Sequence, residues 1–130
     1  MEQQITHYEN KLTYEIDAAD LFEALNKSEK IIVIDARSPE AFAKEHVPGA
    51  INIPHRTMNE TTTDLNKNFL YITYCDGIGC NASTKGALNM TRLGFTVKEL
   101  IGGLDWWKRD GYATEGRLAS DGDKITCGCN

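Results

Sequence analysis

Cys75 and Cys80 bracket a short glycine-containing loop, Asp76-Gly77-Ile78-Gly79, and this is the part of the chain best suited to chemistry. The apolar run Phe69-Leu70-Tyr71-Ile72-Thr73-Tyr74 precedes it and reads as a buried strand. Asn81-Ala82-Ser83-Thr84-Lys85 follows and opens a helix. A cysteine at a strand end, under a turn of backbone amides and beside a helix N-terminus, is placed to become a thiolate. Amide hydrogens and the positive end of the helix stabilise the anion and lower the thiol pKa. An ordinary thiol, with a pKa of about 8.5, is largely protonated at neutral pH, and a downward shift of about two units ionises most of it. The bland alternative for Cys75 is a buried structural thiol; its place before a glycine loop favours the nucleophile.

Other reactive side chains lie further off. His55 and Arg56 follow the brief strand closed by Pro54, and with Lys85 they are the candidates for contact with a substrate. Asp35, Arg37 and Glu40 sit at a strand end and helix start, where a carboxylate–guanidinium pair fixes a turn, so they read as structural. His46 reads as structural too, bonded within its own turn. Cys127-Gly128-Cys129 lies in the tail, and two cysteines alone make a poor metal site, so no metal is expected.

The elements that must position Cys75 alternate between strand and helix. Lys11 to Ile16 reads as a short strand with Leu12, Tyr14 and Ile16 on one face. Asp17 caps a helix carrying Ala18, Leu21, Phe22 and Leu25 at helical spacing. Ile31-Ile32-Val33-Ile34 is a β-branched run typical of a central parallel strand. Ser38-Pro39-Glu40 starts a short helix that Val47-Pro48-Gly49 ends. Ala50 to Ile53, Phe69 to Tyr74 and Val97 to Ile101 read as further strands, and Asn81 to Leu93 and Leu104 to Asp110 as further helices. Such alternation predicts an α/β fold with a parallel sheet covered by helices on both faces. Ligands in these sheets bind beyond the C-terminal strand ends, which is where Cys75 stands.

The chain has 130 residues, enough for one core. With 14 basic and 19 acidic residues its net charge is −5, which argues against a nucleic-acid partner. No stretch has the length and apolarity of a membrane span, and Met1 to Thr6 lacks the pattern of a signal peptide. A cytoplasmic location is the expectation, and with it four cysteines that do not serve as structural disulfides.

Three separated segments resemble the single-domain rhodaneses, a family of sulfurtransferases. The first is Val33-Ile34-Asp35-Ala36-Arg37-Ser38-Pro39-Glu40-Ala41-Phe42 with His46-Val47-Pro48-Gly49-Ala50. Tyr74-Cys75 with its loop and helix is the second, and Leu100-Ile101-Gly102-Gly103 with Trp106 or Trp107 the third. The resemblance implies a domain over residues 1–112 built on a five-stranded parallel sheet, and the composition of the cysteine-containing tail 113–130, rich in Gly, Ser, Thr and charge, predicts loose order. The resemblance also implies that Cys75 takes a sulfane sulfur from a donor such as thiosulfate, becomes a persulfide, and passes the sulfur to cyanide, a thiol or an acceptor protein, with no cofactor. Residues Asp76, Gly77, Ile78, Gly79, Cys80, Asn81, Ala82 and Ser83 would form the active-site loop. Cys80 has three readings: a resolving thiol for Cys75, a second sulfur carrier, or loop packing.

The loop departs from the family pattern. It is about two residues longer, and no arginine or lysine lies between Cys75 and Thr84. A dianionic donor would need its cation from Lys85, Arg56 or His55. The longer loop also suits a cysteine phosphatase or arsenate reductase of the same fold, although the arginine those enzymes use to clamp an oxyanion is missing. A binding module without turnover is the third reading.

Overall fold

The computed structural model describes residues 1–28, 30–58, 62 and 64–122. Five strands, β1 (Glu15–Ile16), β2 (Ile31–Asp35), β3 (Ile51–Asn52), β4 (Leu70–Tyr74) and β5 (Thr96–Leu100), form one sheet in the order β1-β5-β4-β2-β3. Every pairing is parallel. Among the described residues the helices are α1 (Glu2–Tyr14), α2 (Ala18–Lys27), α3 (Pro39–Lys44), α4 (Ala82–Arg92) and α5 (Gly103–Arg109), with a 3-10 turn at His55–Thr57.

Alternation along the two central strands explains why the sheet is covered on both faces. Val33, Ile72 and Tyr74 point into one apolar layer with Leu21, Leu100, Leu104 and Trp107. Ile34 and Tyr71 point into the other with Met58, Met90 and Phe95. No side chain of β4 from Tyr71 to Tyr74 is exposed, as expected of a strand packed on both sides. Asp17 caps α2 through its carboxylate, which accepts from the Asp20 amide at 2.8 Å, and Ser38 caps α3 in the same way for Ala41. Of the adjacent tryptophans, Trp107 is buried and Trp106 lies at the surface.

The N-terminal segment corrects the sequence reading. Lys11 to Tyr14 is the end of helix α1, not part of a strand, and only Glu15 and Ile16 pair with β5. Leu12 is 81% exposed, so its alternation with Tyr14 and Ile16 does not mark a buried face. Lys11 pairs with Glu15 one turn on, and the Thr13 hydroxyl donates to the Glu9 carbonyl, local contacts that suit a helix.

Residues 113–122 follow a defined path. The amides of His46 and Glu115 each donate to the other's carbonyl, and the Arg117 and Leu118 amides donate to the carbonyls of Ala43 and Lys44. Trp107 Nε1 donates to the Ala113 carbonyl at 2.9 Å. Cys127 and Cys129 lie outside the described residues.

Candidate active site

Cys75 follows the last residue of β4, in the middle of the sheet. Its carbonyl accepts the Leu104 amide at 2.9 Å, and the Asp76 carbonyl accepts the Asp105 amide at 2.8 Å, so α5 buttresses the start of the loop. Gly103 makes that approach possible. It has φ +57°, and a Cβ there would stand 2.2 Å from the Cys75 carbonyl oxygen. The loop turns back through a Cys80 amide to Gly77 carbonyl bond of 3.2 Å and enters α4, whose first-turn amides have no acceptor within the helix.

Of the roles open to Cys80, the structure places it in a disulfide with Cys75, with the two Cα atoms 6.2 Å apart. This is the bond that the resolving-thiol reading of Cys80 allows. The pairing is local, within one loop, and does not tie distant elements together. In this state Cys75 is only 2% exposed, while Cys80 is partly exposed.

The end of β2 beside Cys75 is held by a buried ionic network. Arg37 Nη2 donates to Asp35 Oδ2 at 2.7 Å and Nε donates to Oδ1 at 3.0 Å, a bidentate pair. The Tyr74 hydroxyl donates to Asp35 Oδ2 at 2.6 Å and accepts from the Val47 amide at 3.1 Å. Arg37 also reaches Asp76 Oδ1 at 2.9 Å and the Glu45 carbonyl at 2.6 Å, linking the loop to the sheet and to the end of α3. Burial opposes the Arg37 charge, but its bonds to Asp35 and Asp76 outweigh that and hold its pKa above the ordinary value. Burial, with Asp35 alongside, pushes the Tyr74 phenol upward as well. Glu40 is exposed in the first turn of α3, so the partners of Arg37 are Asp35 and Asp76. His46 Nδ1 lies 2.7 Å from the Phe42 carbonyl, and its ring stacks on Phe42.

Two clefts meet at the pair of sulfurs. One, of about 380 Å³, is lined by Cys75, Gly77 to Asn81, Ser83, Thr84, Glu15, Glu99 and the Leu100 to Gly103 segment. Its charged residues are carboxylates. Glu15 is paired with Lys11, and Glu99 Oε1 accepts from the hydroxyls of Ser83, at 2.9 Å, and Thr84. The other cleft, of about 570 Å³, is lined by Cys75, Cys80, Arg37, His55 and Arg56 among others. The backbone of His55 is fixed by a bond from its amide to the Ala36 carbonyl and one from Asn89 Nδ2 to its own carbonyl. Burial lowers the His55 pKa, and the nearby charges of Arg56 and Lys85 lower it further, so the imidazole is neutral at pH 7. The three substrate-contact candidates are therefore neighbours, with the positive charge carried by Arg56 and Lys85.

Glu99 has no place in the sequence-derived site. Its one mark in the sequence is its place near the C-terminal end of a strand, where ligands of a parallel sheet bind.

The model of the Rhodanese-like domain family matches residues 18–110. Thiosulfate sulfurtransferase 16, chloroplastic, of Arabidopsis thaliana is 32% identical over 93 residues, covering 63% of this chain and 78% of that protein. Thiosulfate sulfurtransferase PspE of Escherichia coli strain K12 is 38% identical over 73 residues, covering 55% of this chain and 68% of its own. Among solved structures, the BH2092 protein from Bacillus halodurans superposes with a TM-score of 0.86 at 43% identity, covering 98% of this chain and 95% of that one.

Proposed function

We propose that this chain, which belongs to the rhodanese-like domain family, is a sulfurtransferase that carries sulfane sulfur as a persulfide on Cys75. The observation that carries the reading is the position of Cys75, at the C-terminal end of central strand β4, beneath a glycine loop that feeds the N-terminus of α4. Reduction of the Cys75–Cys80 bond starts the cycle. The Cys75 thiolate attacks the outer sulfur of thiosulfate, the S–S bond of the donor breaks, and sulfite leaves with the bonding pair. The terminal sulfur then passes to a thiophilic acceptor, cyanide or a thiol, and the thiolate returns. First-turn amides of α4 suit the anion at both stages.

Charge separates the two approaches. An anionic donor is attracted through the cleft holding Arg56, with Lys85 close by, and repelled from the side of Glu99. Arg56→Ala is expected to raise KM for thiosulfate several-fold, about 1 kcal/mol of binding, with little change in kcat. Equal loss in kcat and kcat/KM would contradict this role.

The near-complete cover of Cys75 in the disulfide state favours one competing reading, a binding module without turnover. Mass spectrometry of the reduced full chain after exposure to thiosulfate, or to another sulfane donor, separates the two. A gain of about 32 Da on Cys75, absent from Cys75→Ser, is expected for the carrier; no gain with any donor leaves the module.

A further inference from the structure

We infer that Cys80 is the acceptor of the sulfur-transfer step, which makes the chain a sulfane-sulfur reductase that releases sulfide and closes its own disulfide. The inference rests on the persulfide proposed for Cys75 and names where its electrons go. Three observations carry it. Cys75 and Cys80 are bonded to each other within a single loop, so the Cys80 sulfur reaches the inner sulfur of a Cys75 persulfide without rearrangement of the sheet. Both cysteines line both clefts, so a donor that reaches Cys75 from either side meets Cys80 next to it. Glu99 faces the loop from the acidic cleft, so an anionic external acceptor is left only the cationic cleft, through which the donor and the departing sulfite also pass. A tethered thiol avoids that competition and has an effective concentration far above that of any free one.

The balance closes without an outside oxidant. The Cys80 thiolate attacks the inner sulfur of Cys75–S–SH, a Cys75–Cys80 bond forms, the Sγ–S bond of the persulfide breaks, and HS⁻ departs with its electron pair. The sulfane sulfur is reduced by two electrons, and the two cysteine sulfurs are together oxidised by two. A dithiol reductant then resets the loop. Its thiolate attacks Cys80, the more exposed of the two residues, and Cys75 leaves as a thiolate toward the first-turn amides of α4. Formation of the second disulfide within the reductant frees Cys80.

The test is a single turnover of the reduced full chain, freed of reductant, with thiosulfate and no cyanide or added thiol. The wild type is expected to release about one sulfide per chain and to end about 2 Da lighter than its reduced form, with Cys75 and Cys80 joined in peptide maps. Cys80→Ser is expected to release at least about tenfold less sulfide and to hold about 32 Da more on Cys75. Cys127→Ser/Cys129→Ser is expected to behave as the wild type, which separates the loop thiol from the tail thiols. Wild type that keeps the added sulfur without releasing sulfide, or Cys80→Ser that releases it equally, overturns the inference and leaves the carrier reading intact. If neither wild type nor Cys80→Ser gains mass or releases sulfide with any donor, the carrier reading and this inference fall together.

Discussion

Asp35 is wholly buried and accepts from three side-chain donors, Arg37 Nε, Arg37 Nη2 and the Tyr74 hydroxyl, as well as from the Arg37 amide. Removal of a single partner strands the other charge in the interior, which costs about 3–5 kcal/mol. Asp35→Ala is therefore expected to lower unfolding free energy by about that amount in urea titration, whereas Asp76→Ala, whose carboxylate is exposed, costs less than about 1 kcal/mol. The two variants separate the structural part of the network from the part that reaches the loop. Similar losses from both would mean that the Asp76 contact, not the buried pair, anchors Arg37.

The loop depends on the element behind it. Gly102 and Gly103 both have positive φ, and Gly103 lets α5 start against the backbone of Cys75. Gly103→Ala adds left-handed strain to a backbone collision, so a loss of more than about 2 kcal/mol is expected, with slowed persulfide formation in whatever remains folded. Thermal unfolding and the rate of mass gain would check the two effects separately; a variant as stable as the wild type would contradict the close approach. The arrangement of β4, loop and α4 was legible in the sequence because an apolar run, glycines and a helix start succeed one another there. α1 was not: it has no buried residue, so no apolar stripe announces it, and Leu12, Tyr14 and Ile16 imitate a strand. Glu99 stands beside Lys98 near a strand end, where two adjacent charges read as solvated positions, and its role shows only once α4 brings Ser83 and Thr84 to it.

Across the whole molecule, the polypeptide beyond α5 runs along the end of α3, and Glu45 is the fastening point for both it and α5. Lys108 Nζ donates to Glu45 Oε1 at 2.8 Å, and the Thr114 hydroxyl donates to Oε2 at 2.6 Å. Burial pushes the Glu45 pKa up, but these two bonds and the charges of Lys108 and Arg37 outweigh it, so the pKa lies below its ordinary 4.5. A folded-state pKa below the unfolded one gives stability that is present above pH 4.5 and lost as the pH falls through the folded value. Glu45→Gln is expected to lower the melting temperature at pH 7 and to flatten its decline below about pH 4.5; parallel profiles for the two proteins would disprove the fastening. Residue types give little sign of this path, because the paired bonds between His46 and Glu115, and those from the Arg117 and Leu118 amides to the Ala43 and Lys44 carbonyls, are made by backbone.

The outermost strands, β1 and β3, have two residues each. A neighbouring molecule seeking to zip onto either margin would find a ladder too brief to hold it, so the apolar strands at the centre are shielded from fibril growth by the shortness of their flanks.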